Sequence, residues 1–178
     1  MKKQVIVIGA GAGGMMAAGH AAESGANVLL LEKTERPGKK ILISGNGRCN
    51  LTNSRDLESF IAQYGANGRF LTNVFNRFFR NESLAFLHRY GVETMTEPEG
   101  KIYPGSQNAR ETVRAFESYL VDKSVTLQVN TRVYHIIVEN KKVVGVQTIT
   151  NIYPCSAVIL ATGGISHPQT GSTGDGYR

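Results

Sequence analysis

Gln4-Val5-Ile6-Val7-Ile8-Gly9-Ala10-Gly11-Ala12-Gly13-Gly14, followed by Val28-Leu29-Leu30-Leu31-Glu32, decides the fold. An apolar strand runs into glycines at the G-x-G-x-x-G spacing (Gly9, Gly11, Gly14), a helix comes next, and a second apolar strand ends on an acid. Gly9 lets the chain turn off the strand, Gly11 offers no side chain to block a pyrophosphate, and Gly14 lets the helix lie close on the sheet. The helix N-terminus, with Ala10 and Ala12 beside these glycines, presents free N–H groups and a partial positive charge to phosphate. Glu32 lies about 20 residues downstream, where a carboxylate accepts both ribose hydroxyls. An acid there repels a 2′-phosphate, so FAD or NAD fits better than NADP.

Other readings of this stretch are weaker. A signal peptide also starts with lysines and an apolar run, a pattern that Met1-Lys2-Lys3 and Val5-Ile6-Val7-Ile8 share. Here glycines interrupt the run at the fingerprint spacing, and a strand ending in an acid comes at the right distance. An unrelated glycine-rich turn would not require that acid.

The 178 residues are enough for one good-sized domain with a real core. A hydrophobic share of 41% and a charged share of 19% describe an ordinary globular chain. No apolar stretch is long enough to span a bilayer, so no membrane partner is expected. Cys49 and Cys155 form neither a C-x-x-C nor a metal-ligand spacing, which predicts a reduced cytoplasmic compartment and no metal site. The net charge of +6 raises nucleic acid as a partner. The positive residues are scattered and lack interleaved stacking aromatics, so none is expected.

Along the chain, a helix is expected from about Ala12 to Ser24, stopped by Gly25. Residues 38–53, GKKILISGNGRCNLTN, are too polar for a core and rich in hydrogen-bond donors. Ser44, Asn46 and Asn50 supply hydrogen bonds, and Arg48 a fixed fork for phosphate or carboxylate. Cys49 reads as a small packing residue in preference to a redox thiol, since no partner cysteine lies nearby in sequence. Residues 56–91 read as two or three short helices, with Asn81 as an N-cap and Gly91 after a C-terminus. Six of the seven phenylalanines fall here (Phe60, Phe70, Phe75, Phe78, Phe79, Phe86) and are expected to form a local core, with His88 structural. Residues 97–104 suggest a turn or short hairpin, and a helix over 109–123 leads to a third parallel strand at 125–129. Residues 133–138 and 143–149 alternate as an antiparallel hairpin. Ala157-Val158-Ile159-Leu160-Ala161 is fully apolar and expected to be a central strand. It leads to Thr162-Gly163-Gly164 and a donor-rich loop, Thr170 to Gly176.

Together, GAGAGG with Glu32, GKKILISGNGRCNLTN, the hairpin insert, VILATGG and TGSTGDG resemble the BaiN-like or aminoacetone-oxidase-like group of FAD-dependent oxidoreductases. More distantly they resemble two-dinucleotide-binding-domain flavoproteins such as fumarate reductase and glutathione reductase. The resemblance implies an α/β Rossmann-like FAD-binding domain over residues 1–178, with a parallel sheet, a helical insertion at about 56–91 and a β-hairpin (meander) insert at about 131–150. It implies that Gly9, Gly11 and Gly14 hold the pyrophosphate and Glu32 the adenosine ribose, with Lys33 and Lys40 on the adenosine and phosphate side. Ser44, Gly45, Arg48, Cys49 and Asn50 match the loop that runs along the pyrophosphate and ribityl chain. Val133 matches a position whose backbone reads adenine. Ala161, Thr162 and Gly163 match the turn over the adenosine-phosphate half, and Thr173, Gly174, Asp175 and Gly176 a loop close to the cofactor.

Members of this group run to roughly twice this length, so the chain reads as the N-terminal part of such a protein, without its substrate domain. The resemblance implies a flavoprotein oxidoreductase with FAD as cofactor, NAD(P)H as a candidate electron donor and a small molecule as substrate. An FAD- or ADP-binding fragment without turnover and an RNA-modifying flavoprotein are the alternatives. Neither the catalytic residues nor the oligomeric state is legible; His167, in Ile165-Ser166-His167-Pro168, is the one histidine with a conceivable place near the flavin.

Overall fold

The computed structural model describes residues 2–177. In chain order the elements are β1 (Gln4–Ile8), α1 (Ala12–Glu23), β2 (Asn27–Leu31), the single turn α2 (Lys39–Ile43) and β3 (Thr52–Asn53). Next come α3 (Leu57–Ala62), α4 (Gly68–Arg77), α5 (Arg80–Arg89), β4 (Thr94–Thr96), β5 (Lys101–Pro104) and α6 (Ala109–Asp122). The last strands are β6 (Thr126–Gln128), β7 (His135–Glu139), β8 (Lys142–Gln147), β9 (Ile152–Pro154) and β10 (Ala157–Leu160). The chain forms two compact units, residues 1–41 with 116–178, and residues 42–115.

The first unit is Rossmann-like. Its sheet has the order β10-β1-β2-β6 and all its pairings are parallel. Alternation along the strands sorts the side chains. Ile6, Ile8, Leu29, Leu31 and Val158 face a layer built from Val143, Val146, Tyr153 and Cys155. On the opposite face Val7 and Leu30 are fully buried, and α1 packs on β1 and β2 with Met15 and Ala18 also fully buried. Fully burying a side chain the size of Val7, Leu30 or Met15 contributes about 1.5–3 kcal/mol, and the Ala18 methyl less. Space between α1 and α6 is tight: a Cβ on Gly19 would lie 2.0 Å from the Tyr119 ring.

Several expectations hold in this unit. Helix α1 ends at Glu23 with Ser24 as its C-cap and Gly25 following at φ +88°. Strand β6 pairs parallel to β2 as the third strand. Two details differ. The insert is a three-stranded antiparallel meander, β7-β8-β9, so it runs beyond 150 to Pro154. Strand β10 is not central: among the described residues it pairs only with β1, and Leu160 is 53% exposed. A continuous apolar run marks a strand that belongs in a sheet, but it carries no record of how many neighbours that strand has.

The second unit contains α3 to α5 and a small antiparallel sheet, β3-β5-β4. Three helices form where two or three were expected. The Asp56 carboxylate caps α3 by accepting the Ser59 N–H at 2.8 Å. Asn81 is not an N-cap. Helix α5 begins at Arg80, and the Glu82 carboxylate reaches back to the Phe79 N–H at 2.9 Å, so Phe79 holds the cap position. The helix start is thus marked by an acid at its third position, which reaches back to the cap residue, and not by an Asn at the cap. Phe60, Phe75 and Phe79 pack mutually, with centroids 5.1–5.5 Å apart, while Phe86 joins the Leu87, Val92 and Ala115 cluster. Phe70 departs from the expected aromatic core: it is 85% exposed. Residues 97–100 turn between β4 and β5, and α6 begins at Ala109 as expected.

Candidate functional site

The parallel register sets Ile8 beside Leu31 and Leu160, so Gly9, Glu32 and Ala161 leave the carboxyl ends of three adjacent strands together. Ligands of open α/β sheets bind at this edge. Gly9 turns at φ +101°, a conformation that other residues rarely adopt, and a Cβ there would lie 2.6 Å from the Ala161 carbonyl oxygen. Gly14 is needed for approach: its Cβ would lie 1.8 Å from the Gly9 carbonyl oxygen. Gly11 differs from both, because a Cβ there would meet nothing within 4 Å. It is the N-cap of α1, with no side-chain cap and no acid in the first turn, so the helix N-terminus is electrostatically uncompensated.

Glu32 is buried and tied to the glycine turn. Its Oε2 accepts the Ala10 N–H at 2.7 Å. Its Oε1 accepts the Thr34 N–H at 2.9 Å and the Thr34 hydroxyl at 2.8 Å. The hydroxyl also lies 2.9 Å from the Arg36 carbonyl, and the charged acceptor takes its proton. A carboxylate has about four lone-pair sites. Three are filled by protein donors, which leaves one open acceptor site, on Oε2.

A cleft of about 340 Å³ opens beside this edge, within the usual size of ligand pockets. Gly9, Ala10, Gly11, Glu32, Lys33 and Lys40 line one part of it. Val133, Ala161, Thr162, Gly163 and Asp175 line another. Ala12 lies in the first turn of α1, Gly14 beneath the loop, and Gly174 behind the wall, where a Cβ would touch Ile165. Lys33, Lys39, Lys40 and Arg132 stand on the wall against the carboxylates of Glu32 and Asp175, a balance that favours an anion.

Lys33 and Lys40 are engaged with the loop beyond β10. Lys33 Nζ donates to Thr173 Oγ1 at 2.6 Å and Asp175 Oδ2 at 2.9 Å, and Lys40 donates to Ser172. Arg132 reaches Asp175 Oδ1 at 3.1 Å. The Lys33 hydrogen bond holds the Asp175 carboxyl below its ordinary range against the opposing effect of burial; Thr173 and Arg132 act in the same direction as Lys33. Thr34, Arg132 and Ser172 were not singled out from the sequence. Thr34 could have been, as a hydroxyl two residues after the fingerprint acid; the other two meet partners far away in the chain.

Ser44, Gly45, Arg48, Cys49 and Asn50 belong to the second unit. Ser44–Gly47 forms a 3₁₀ turn in which Gly45 and Asn46 take positive φ. Arg48 stacks over the Tyr103 ring at 4.2 Å and donates to Glu97 Oε1 at 2.7 Å. Cys49 is buried, as expected of a packing residue. His167 is exposed and lies outside the cleft lining; His88 meets the Thr94 hydroxyl at 3.0 Å. Among the described residues, no cluster of His, Cys, Asp or Glu could hold a metal ion, and no helix is long and apolar enough to cross a membrane.

A parallel sheet with a glycine turn, an uncompensated helix N-terminus and an acid at the end of the second strand defines a Rossmann-like domain of the dinucleotide-binding type. The chain belongs to the HI0933-like protein Rossmann domain family, whose pattern it matches over residues 3–178. It is 37% identical over 174 residues to the 3-dehydro-bile acid delta(4,6)-reductase of Clostridium scindens, covering 96% of this chain and 41% of that protein. It is 29% identical over 176 residues to the ribosomal RNA dihydrouridine synthase of Escherichia coli, covering 97% of this chain and 42% of that protein. The chain thus spans about two fifths of these curated relatives. In fold it is similar to a flavocytochrome c3 fumarate reductase in its open conformation, with a TM-score of 0.69 at 23% identity, over 92% of this chain and 34% of that one.

Proposed function

We propose that this chain holds FAD for a reductase that saturates a carbon–carbon double bond conjugated to a carbonyl. The observation that carries the cofactor assignment is the pairing of the open, uncapped Gly11 helix N-terminus with a buried Glu32 that keeps one acceptor site. These fit the two ends of an ADP moiety, pyrophosphate and ribose. The backbone N–H groups at Gly11 and Ala12 bind phosphate oxygens, Glu32 orients the ribose, and Val133 borders the adenine side of the cleft. FAD, when bound and reduced, supplies the hydride.

The substrate class rests on the two curated relatives, since a delta(4,6)-reductase and a dihydrouridine synthase are both named for saturating a carbon–carbon double bond. NAD(P)H is proposed as the source of electrons and the cytoplasm as the compartment, which suits two free, buried cysteines.

The test is to incubate the purified chain with FAD and record its spectrum, add NADH or NADPH without oxygen and follow bleaching, then add a steroid enone or uridine and follow the return of the flavin colour as the double bond is reduced. A retained flavin spectrum is expected, and a chain that stays colourless overturns the assignment. Flavin bound without any turnover would favour a second reading, in which these residues hold the cofactor and the chemistry needs more than the two fifths of the relatives' length present here.

A further inference from the structure

Helix α4 presents an exposed face that the flavin site does not use. At 100° per residue its positions divide cleanly. Leu71, Thr72 and Phe75 are partly buried and Gly68 is buried on one side, where a Cβ on Gly68 would lie 2.3 Å from the Ile61 carbonyl oxygen of α3. Asn76, Arg69, Asn73, Arg77, Phe70 and Val74 fall, in that angular order, within an arc of about 160°, and all are exposed.

Phe70 is 85% exposed and Val74 55%. The helix contains no acid, and among the described residues no ion pair engages Arg69 or Arg77. Helical placement therefore sets an aromatic ring among two arginines and two amides, an interleaving of cations and aromatics that the linear order of the chain conceals.

We propose that this arc is a docking surface for single-stranded RNA. Phe70 stacks on an unpaired base, Arg69 and Arg77, about 12 Å apart along the axis, take flanking phosphates, and the Asn73 and Asn76 amides meet base edges. The composition of the arc selects this partner. A helix that lies in a membrane needs a continuous apolar face, and here only Phe70 and Val74 are apolar. A duplex keeps its bases stacked and offers a ring nothing to stack upon. Like-signed cations without an acid match a phosphate backbone. The surface belongs to residues 68–77 and requires no flavin, so it stands or falls apart from the cofactor assignment.

The experiment is fluorescence anisotropy of the full chain, without FAD, against a labelled 12-nucleotide single-stranded RNA of mixed sequence over a range of salt. The expected result is binding that weakens steeply with salt, a loss of roughly tenfold in Phe70→Ala and recovery in Phe70→Tyr, which restores the ring. Arg69→Ala and Arg77→Ala should each lower the slope of log K against log salt by about 0.7. Far-UV circular dichroism confirms that each variant stays folded, as expected for side chains in solvent. Absence of RNA binding overturns the proposal, as does binding that Phe70→Ala leaves unchanged. Phe70-dependent binding to vesicles of anionic phospholipid without binding to RNA also overturns it, in favour of a membrane surface.

Discussion

Removing the Glu32 carboxylate should act twice, on the stability of the empty protein and on its affinity for FAD, and the two effects can be separated by choice of substitution. In Glu32→Ala the fully buried Ala10 N–H loses its partner, as does the Thr34 N–H. An orphaned buried donor costs about 1–3 kcal/mol. The ribose hydroxyl also loses a charged acceptor, worth about 1.5–3 kcal/mol, so the Kd for FAD should rise roughly 10- to 150-fold. In Glu32→Gln the amide oxygen can stay on Ala10 while the amide nitrogen donates to the Thr34 hydroxyl, which turns its own proton to the Arg36 carbonyl 2.9 Å away. Only the Thr34 N–H is then orphaned, and the ribose keeps a neutral acceptor of about half the strength. Its Kd should rise only about fivefold. Urea unfolding of the apo chain reads the first effect, and quenching of FAD fluorescence on titration reads the second. Wild-type affinity in Glu32→Ala would show that the carboxylate does not touch the ribose. An unchanged urea midpoint would show that its hydrogen bonds to Ala10 and Thr34 do not support the turn.

The fingerprint glycines should divide by mechanism: Gly14→Ala, whose Cβ would sit 1.8 Å from the Gly9 carbonyl, should cost stability by about 1–3 kcal/mol as well as FAD affinity, whereas Gly11→Ala should lose affinity alone. Equal urea midpoints for the two variants would contradict this. Asp175 titrates below its ordinary 3.8 because Lys33 donates to it. A carboxyl depressed on folding adds stability above its unfolded value and loses it as pH falls through the folded one. The stability gap between wild type and Asp175→Asn should therefore be constant from pH 7 to about 5 and shrink at more acid pH, measured by urea unfolding; a gap independent of pH down to about 3 refutes the pairing. Burial raises the Cys155 thiol above its usual range, and Cys49 is buried too. Neither should react with iodoacetamide at about pH 7.5 in the folded chain, while both should in urea; rapid labelling without denaturant would show that they are accessible.

Local roles were legible in the sequence, and distant pairings were not. The turn at Gly9, the packing at Gly14 and the stop at Gly25 each depend on the backbone of a few consecutive residues, so spacing alone identified them. Strand β9 has three residues ending on Pro154, too short for an alternating pattern, and it is defined by its pairing with Gly145, Val146 and Gln147. The edge position of β10 depends on neighbours that its own side chains do not encode. Lys33 and Asp175 are 142 residues apart, and no periodicity relates them. Phe70 looked like its neighbours Phe75 and Phe79 in composition, and only the helix phase of α4, fixed by contact with α3, turned it outward.

The site is better understood as a consequence of strand register than as a set of ligand-seeking residues. Parallel pairing of Ile8 with Leu31 and Leu160 brings Gly9 N to the Leu31 carbonyl at 2.7 Å and Ala161 N to the Ile8 carbonyl at 2.9 Å. With those bonds made, the next residue on β2 is Glu32 and the next amide on the glycine turn is Ala10, and the 2.7 Å contact between them results. A shift of β2 by one residue against β1 would turn Leu29 and Leu31 from the meander face to the α1 face while Ile6 and Ile8 stayed in place. The burial that defines the core therefore also aligns the acid with the turn. The hydrophobic energy of the sheet, many side chains at about 1.5–3 kcal/mol each, thus holds a buried carboxylate in place before any ligand arrives. That explains how a site with one spare acceptor and an open helix end can be preorganised for a dinucleotide without a rigid clamp of its own.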